Sequence, residues 1–266
     1  MSEMIKVAVL GACGKMGSEV VRTVAGAPDT EMVGACDIAF VGSKLGDITG
    51  VAGLDVVIEN DLVSMLDNSK PDVIVDFAKP FVMDNIRIAM ERGVVPIIGT
   101  TGLATEELSQ LNEIAKKTGI GVIVAPNFAI GAILMMKFAA EAAKYMPCVE
   151  IVELHHDKKL DAPSGTSIKT AEMIDEARRA AGVEATKPLG AADDPARGEE
   201  LNGVHIHSIR LPGLVAHQEV LFGGTGQLLT IRHDSLDRTS FMPGVLLAVR
   251  RAAHVQGLIY GLDKLL

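Results

Sequence analysis

The sequence predicts an α/β chain: a doubly wound parallel sheet, followed by a second α+β domain with a mixed sheet. Three observations predict it. Short apolar runs alternate with helical patterns through the first half. Those runs lack polar alternation, as strands covered on both faces do. After Pro126 the order changes to helix, strand, helix, and then three strands separated by glycine-containing turns.

Taken in order, the strand candidates of the first half are Ile5–Leu10, Met32–Cys36, Val56–Ile58, Val73–Val75, Val94–Ile98 and Val122–Ala125. Helical patterns fit between them at Lys15–Ala25, Leu62–Asn68, Val82–Arg92 and Glu106–Lys117. Right-handed crossovers make the doubly wound arrangement the default for such a series. Beyond Pro126, a helix over Ala129–Tyr145 leads into a strand over Val149–His155, then a helix from Gly165 to about Ala181. Residues 184–203 are polar and rich in Pro, Gly and Asp, and read as a long surface loop. Strands follow at Val204–Arg210, Val215–Phe222 and Gln227–His233, and the run Ser240–Gly257 is helical and expected to return to the first domain. The division expected is 1–126 with 239–266, and 127–238.

Composition bounds the function. Hydrophobic residues make up 48% and charged ones 22%, so a chain of 266 residues can bury a core without disulfides or metal staples. Seven Phe, two Tyr and no Trp leave little to stack nucleic-acid bases on. A net charge of -9 argues against nucleic-acid and anionic-membrane partners alike. The most apolar stretch, residues 122–140, is broken by Pro126, Asn127 and Lys137 and does not read as a membrane span. The N-terminus lacks the pattern of a signal peptide. Cys13, Cys36 and Cys148 form no CxxC and read as buried thiols of a reducing compartment, which places the chain in the cytoplasm.

Two motifs carry chemistry. Gly11-Ala12-Cys13-Gly14-Lys15-Met16-Gly17 sits between the first strand and the first helix. Glycine there permits the turn, lets a pyrophosphate approach the backbone and lets the helix pack on the strand, while the helix N-terminus offers N–H groups to phosphate. Asp37 ends the second strand, where a carboxylate accepts bonds from the adenosine ribose. This context makes the first domain Rossmann-like and dinucleotide-binding. The second motif runs from His155 to Thr166, HHDKKLDAPSGT. A histidine suits general acid–base work and Lys159 supplies a mobile cation. Gly165 and Thr166 open a helix whose N-terminus attracts anions. Residue chemistry alone also allows a solvated charged loop with a helix cap. A metal site at His155/His156 or His205/His207 finds no familiar ligand spacing; no metal is expected.

These residues resemble the 4-hydroxy-tetrahydrodipicolinate reductase (dihydrodipicolinate reductase) family of bacterial lysine and diaminopimelate biosynthesis. The resemblance spans nearly the whole chain. It includes the Gly11–Gly17 loop, Asp76-Phe77-Ala78-Lys79-Pro80, Gly99-Thr100-Thr101-Gly102, Ala125-Pro126-Asn127-Phe128, the His155–Thr166 block, Phe222–Gly226 and His233–Arg238. It implies NAD(P)H-dependent reduction of 4-hydroxy-2,3,4,5-tetrahydrodipicolinate to tetrahydrodipicolinate. It implies that Gly11, Ala12, Cys13, Gly14, Lys15 and Met16 hold the pyrophosphate, Asp37 the ribose, and Gly99, Thr100, Thr101, Ala125, Pro126, Asn127 and Phe128 the nicotinamide end. His155 would donate and accept the proton and Lys159 would also donate one. His156, Lys159, Gly165 and Thr166 would bind the substrate carboxylates. The second domain would then bind substrate and carry the contacts of a homotetramer.

Two departures bear on these roles. Members that favour NADPH often carry arginine after the ribose-binding acid, whereas Ile38 and Ala39 stand here, with Lys15 and Lys79 at other commonly basic positions. NADH is therefore the expected preference, with NADPH usable. Ala129 replaces a common serine. Two other readings compete: a reductase of another small oxo- or imino-acid, and a non-catalytic nucleotide sensor. The His155–Thr166 block speaks against both, since one carboxylate needs fewer cationic and N–H groups and a sensor needs no His155–Lys159 pair.

Overall fold

A computed structural model describes residues 4–80, 83–100, 103–185 and 195–266. The chain divides into two units, 1–128 with 241–266 and 129–240.

The first unit is built on a seven-stranded parallel sheet. Its elements are β1 (Ile5–Leu10), α1 (Lys15–Gly26), β2 (Thr30–Cys36), α2 (Leu45–Thr49), β3 (Ile58–Glu59), α3 (Leu62–Ser69), β4 (Val73–Asp76), α4 (Met83–Glu91), β5 (Val95–Ile98), α5 (Thr105–Thr118) and β6 (Val122–Val124). The sheet order is β3-β2-β1-β4-β5-β6, extended by a C-terminal strand beyond β6. Every residue of β4 is buried, as are Val7–Leu10 of β1. Coverage on both faces explains why these strands read as unbroken apolar runs. The order reverses direction between β1 and β4, and a doubly wound sheet opens a crevice outside the strand C-termini at such a switch point.

The second unit contains α6 (Ile130–Ala143), β7 (Cys148–His155), α7 (Gly165–Ala180), β8 (Glu199–Leu201), β9 (Val204–Arg210), β10 (Ala216–Gly224) and β11 (Gln227–Ser235). Its sheet runs β11-β10-β7-β9-β8. Only β7 and β9, the two strands joined through α7, pair in parallel, so the sheet is mixed.

Several expectations need correction. Residues 184–203 are not one loop: a 3-10 turn over Pro195–Arg197 and edge strand β8 lie within them, and 186–194 fall outside the described residues. The sequence Glu-Glu-Leu hid the strand because charged residues are what an exposed edge carries. The run Ser240–Gly257 is not one helix. Its helix, α8 (Met242–Arg251), is flanked by 3-10 turns, and β12 (Leu258–Tyr260) then pairs with β6. As expected of this run, α8 packs on α1 and β1. The third strand covers Ile58–Glu59 rather than Val56–Ile58, and α2 was not expected.

Candidate active site

The predicted cofactor residues gather at the C-terminal edge of the first unit's parallel sheet. Gly11 follows β1 with a left-handed φ of 72°, and a Cβ there would lie 3.0 Å from Ala78 Cα. The loops after β1 and β4 therefore press together at the switch point. A Cβ on Gly17 would lie 2.0 Å from Gly11 O, so α1 can start this close to the loop only with glycine. Gly14 is the N-cap of α1, no side chain caps the helix, and its first turn holds no acidic residue. An uncapped N-terminus with a positive dipole end and a side-chain-free approach fits a pyrophosphate.

Asp37 does more than end β2. Its Oδ2 accepts Cys13 N–H at 2.8 Å and its Oδ1 accepts Ala39 N–H at 2.9 Å. The carboxylate thus ties the glycine loop to β2 and keeps a further lone pair on each oxygen for a ribose. The Cys13 thiol is half-buried, and burial, with the Asp37 charge, pushes it up to about 11. Cys36 is also half-buried and driven to about 11, whereas Cys148 is exposed, against the expectation that all three are buried. Asp76, 1% exposed at the end of β4, is raised to about 6 by burial, only partly offset by Ala78 N–H.

Gly99 and Thr100 follow β5, and Ala125 to Phe128 follow β6, at the same edge. The ring of Phe77 occupies the space a Gly99 Cβ would need, at 2.2 Å, and packs against Phe128 in a tilted pair with centroids 5.7 Å apart. Ala125 and Phe128 are buried, Asn127 half-buried and Pro126 exposed. Thr101 lies outside the described residues. Lys15 is exposed, as is Ile38, at 94%.

In the second unit His155 is the last residue of β7, and the turn after it closes through Lys159 N–H to His156 O. The sequence reading missed what holds His155. Glu153, two residues earlier on the same strand face and fully buried, accepts its Nδ1. Arg210, at the register position opposite His155 on β9, forks onto Glu153 with Nη1 to Oε2 and Nη2 to Oε1, both 2.8 Å. Burial alone would raise Glu153, but hydrogen bonds from His155, Arg210 and Ser208 outweigh it and hold the group at about 2.

The same carboxylate reaches the predicted anion cradle. Its Oε1 accepts the N–H of Ser164, the N-cap of α7, at 3.2 Å. Ser164 Oγ caps Ser167 N–H, and Ser167 Oγ donates to Gln218 Oε1, whose amide donates to Thr170 Oγ1. Gly165 and Thr166 open the helix above this buried polar chain. Lys159 bonds both oxygens of exposed Asp161, at 2.8 and 2.6 Å, and His156 is exposed. Of the predicted substrate residues, all thus flank one strand end and one helix N-terminus. Among the described residues no group of three or more His, Cys, Asp or Glu side chains could hold a metal ion. No helix there is long and apolar enough to cross a membrane.

Comparison with known proteins agrees in both units. The family model "Dihydrodipicolinate reductase, N-terminus" matches residues 5–128 and "Dihydrodipicolinate reductase, C-terminus" residues 131–266. The chain is 51% identical over 275 residues to the 4-hydroxy-tetrahydrodipicolinate reductase of Syntrophomonas wolfei, covering 100% of both chains. It is 52% identical to that of Listeria monocytogenes serotype 4b (strain CLIP80459), over 98% of this chain and 100% of the relative. The solved dipicolinate-bound dihydrodipicolinate reductase from Paenisporosarcina sp. TG-14 superposes with a TM-score of 0.84 at 45% identity, covering 99% and 100% of the two chains. The chain belongs to the dihydrodipicolinate reductase family.

Proposed function

We propose that His155 is the proton donor of this chain's reaction, that Lys159 and the Gly165–Thr166 turn take the substrate carboxylates with His156, and that NADH is the preferred cofactor with NADPH usable. As a member of its family the chain is an NAD(P)H-dependent oxidoreductase that reduces 4-hydroxy-2,3,4,5-tetrahydrodipicolinate to tetrahydrodipicolinate in lysine and diaminopimelate biosynthesis. The observation that carries the site reading is His155 held by buried Glu153 beside the Ser164-capped start of α7.

The residues' tasks follow from the substrate's two carboxylates on a ring. In an acidic protein these anions need a local cradle, supplied by the N-terminus of α7 and by Lys159 once it exchanges Asp161 for substrate. When bound, the reduced nicotinamide supplies the hydride to ring carbon 4 as water leaves. Gly11 to Met16 would hold its pyrophosphate, Asp37 its ribose, and Gly99 to Thr101 with Ala125 to Phe128 its nicotinamide end. His155 moves the proton. Orientation and anion neutralisation are the protein's remaining contributions.

The NADH preference is supported by Asp37, a like charge to a 2′-phosphate, and by Ile38 and Ala39, which offer no guanidinium to it. We also place residues 1–126 with 239–266 as the cofactor domain and 127–238 as the substrate and oligomerisation domain. We also propose a cytoplasmic location and a homotetramer; the association is supported by a second-unit sheet whose face away from the buried Glu153 and Gln218 carries Val152, Leu154, Leu221 and Leu228, the last 69% exposed. The test is reduction of the freshly made product of dihydrodipicolinate synthase, with NADH and NADPH in parallel. His155→Ala should lower kcat at least tenfold with NADH affinity near normal. Wild-type kcat in that variant would overturn the assignment of His155.

A further inference from the structure

We propose that Glu153 is a positioning residue: it fixes which nitrogen of His155 exchanges the proton and locks that ring to the anion-binding start of α7. The inference rests on the reading of His155 as proton donor.

The geometry is saturated. A carboxylate offers about four acceptor sites, and Glu153 fills them with four hydrogen bonds from Ser164, Arg210 and His155, to which Ser208 adds a further one. Oε1 takes Ser164 N–H and Arg210 Nη2; Oε2 takes Arg210 Nη1 and His155 Nδ1. Its side chain is fully buried, so water replaces none of them. An ionised carboxylate only accepts hydrogen bonds. His155 Nδ1 must therefore carry a hydrogen in both the neutral and the charged ring, and Nε2 is left as the atom that gains and loses the proton. The partners come from three segments, β7, β9 and the N-cap of α7, and Arg210 Nη2 also donates to Asp161 O beyond the Lys159 turn. One carboxylate thus sets the ring orientation and the position of the cradle together.

Stability alone does not require this arrangement. Replacing a buried ion pair with packed apolar residues is often neutral or stabilising. Glu153→Gln keeps the shape but removes the charge, so the amide can turn a donor toward Nδ1 and invert the tautomer.

The experiment measures kcat, KM and thermal melting for Glu153→Gln, His155→Ala, the double variant and Glu153→Gln/Arg210→Met. Glu153→Gln should lower kcat at least tenfold, because a wrongly protonated ring forfeits most of the ~10²–10⁴-fold that placed proton transfer supplies. In the His155→Ala background the same change should cost less than about threefold, since residues acting as a unit are non-additive. Glu153→Gln/Arg210→Met, which leaves no buried unpaired charge, should melt near wild type and still have the low kcat. A folded Glu153→Gln enzyme within threefold of wild-type kcat overturns the proposal, as does an undiminished loss in the His155→Ala background. Imidazole ¹⁵N spectra of the wild type, assigned with His155→Ala, give a second reading independent of turnover. Protonated Nδ1 supports the proposal and unprotonated Nδ1 refutes it. If His155→Ala retains full kcat, the proton-donor reading fails by itself, and the spectra still decide whether Glu153 sets the tautomer.

Discussion

Gly17→Ala tests whether the start of α1 is the phosphate site. The new Cβ would sit 2.0 Å from Gly11 O, 2.8 Å from Gly11 C and 2.9 Å from Ala12 Cα. An ordinary C···O approach is about 3.3 Å, so helix and loop must part by roughly 1 Å. All three atoms are backbone, and no side chain can swing away. Overpacking of this kind costs about 1–3 kcal/mol, or about 2–5 °C in melting temperature for a chain of this size. The displaced loop is the one whose N–H groups would meet the phosphates. Losing one charge-assisted hydrogen bond at about 1.5–3 kcal/mol weakens NADH roughly tenfold or more. Gly14→Ala is the control. Its Cβ would meet only Gly11 O, at 3.2 Å, and φ is -70° there, so melting should change little. NADH titration by fluorescence alongside thermal melts separates the effects. An NADH Kd within twofold of wild type in a destabilised Gly17→Ala protein would show that the phosphates bind elsewhere.

Lys159→Ala should raise KM for substrate by an order of magnitude or more and lower kcat as well; steady-state kinetics with an unchanged kcat/KM would place the cradle elsewhere. The wild type should prefer NADH in kcat/KM with NADPH within about tenfold, and Ile38→Arg should improve NADPH by supplying the missing guanidinium; a wild-type NADPH preference above tenfold, or no gain in Ile38→Arg, removes Asp37 as the deciding residue. Asp76 is held near 6, above its ordinary range, so its contribution to stability is lost as pH rises from about 4 to 6. Asp76→Asn should abolish that loss and stabilise the protein at pH 7 by on the order of 2–3 kcal/mol, fading below pH 4; denaturant midpoints that differ equally at pH 4 and pH 7 would refute it.

How much was legible depended on sequence distance. β1, β4, β5 and β6 could be read because burial on both faces leaves one physical option, a continuous apolar run. β8 and β12 could not, for each is three residues long and at the edge of its sheet, where neither burial nor alternation is imposed. The His155–Thr166 block was legible because its polar residues are contiguous. Glu153, Arg210 and Gln218 were not, since Arg210 lies 57 residues from Glu153 and only strand pairing brings them together. One local signal existed: Glu-x-His at the end of a strand puts both side chains on one face. A carboxylate at a position the burial pattern assigns to the core demands a partner, and the histidine beside it is the nearest.

The two sites constrain their residues in opposite ways. As the proposed phosphate loop, residues 11–17 would work by the absence of side chains: Gly11, Gly14 and Gly17 leave room, and the Asp37 carboxylate is spent on two backbone N–H groups that hold the loop in shape. Added volume is what damages it. The proposed substrate site would work by polar and charged groups that cannot move, since Glu153, Arg210 and Ser164 each make more than one hydrogen bond. Removed charge is what would damage it, while added volume at exposed Leu160 has open space to enter. If these assignments hold, small-to-large changes in the first unit and charge-to-neutral changes in the second are the substitutions that should separate cofactor binding from proton transfer. Lys159 stands apart from both groups, because its partner Asp161 is 61% exposed and surface pairs of that kind hold by about 0–1 kcal/mol. A substrate carboxylate that also reached the N–H groups at the start of α7 would compete with that pair on favourable terms, so we expect substrate to displace Asp161 from Lys159.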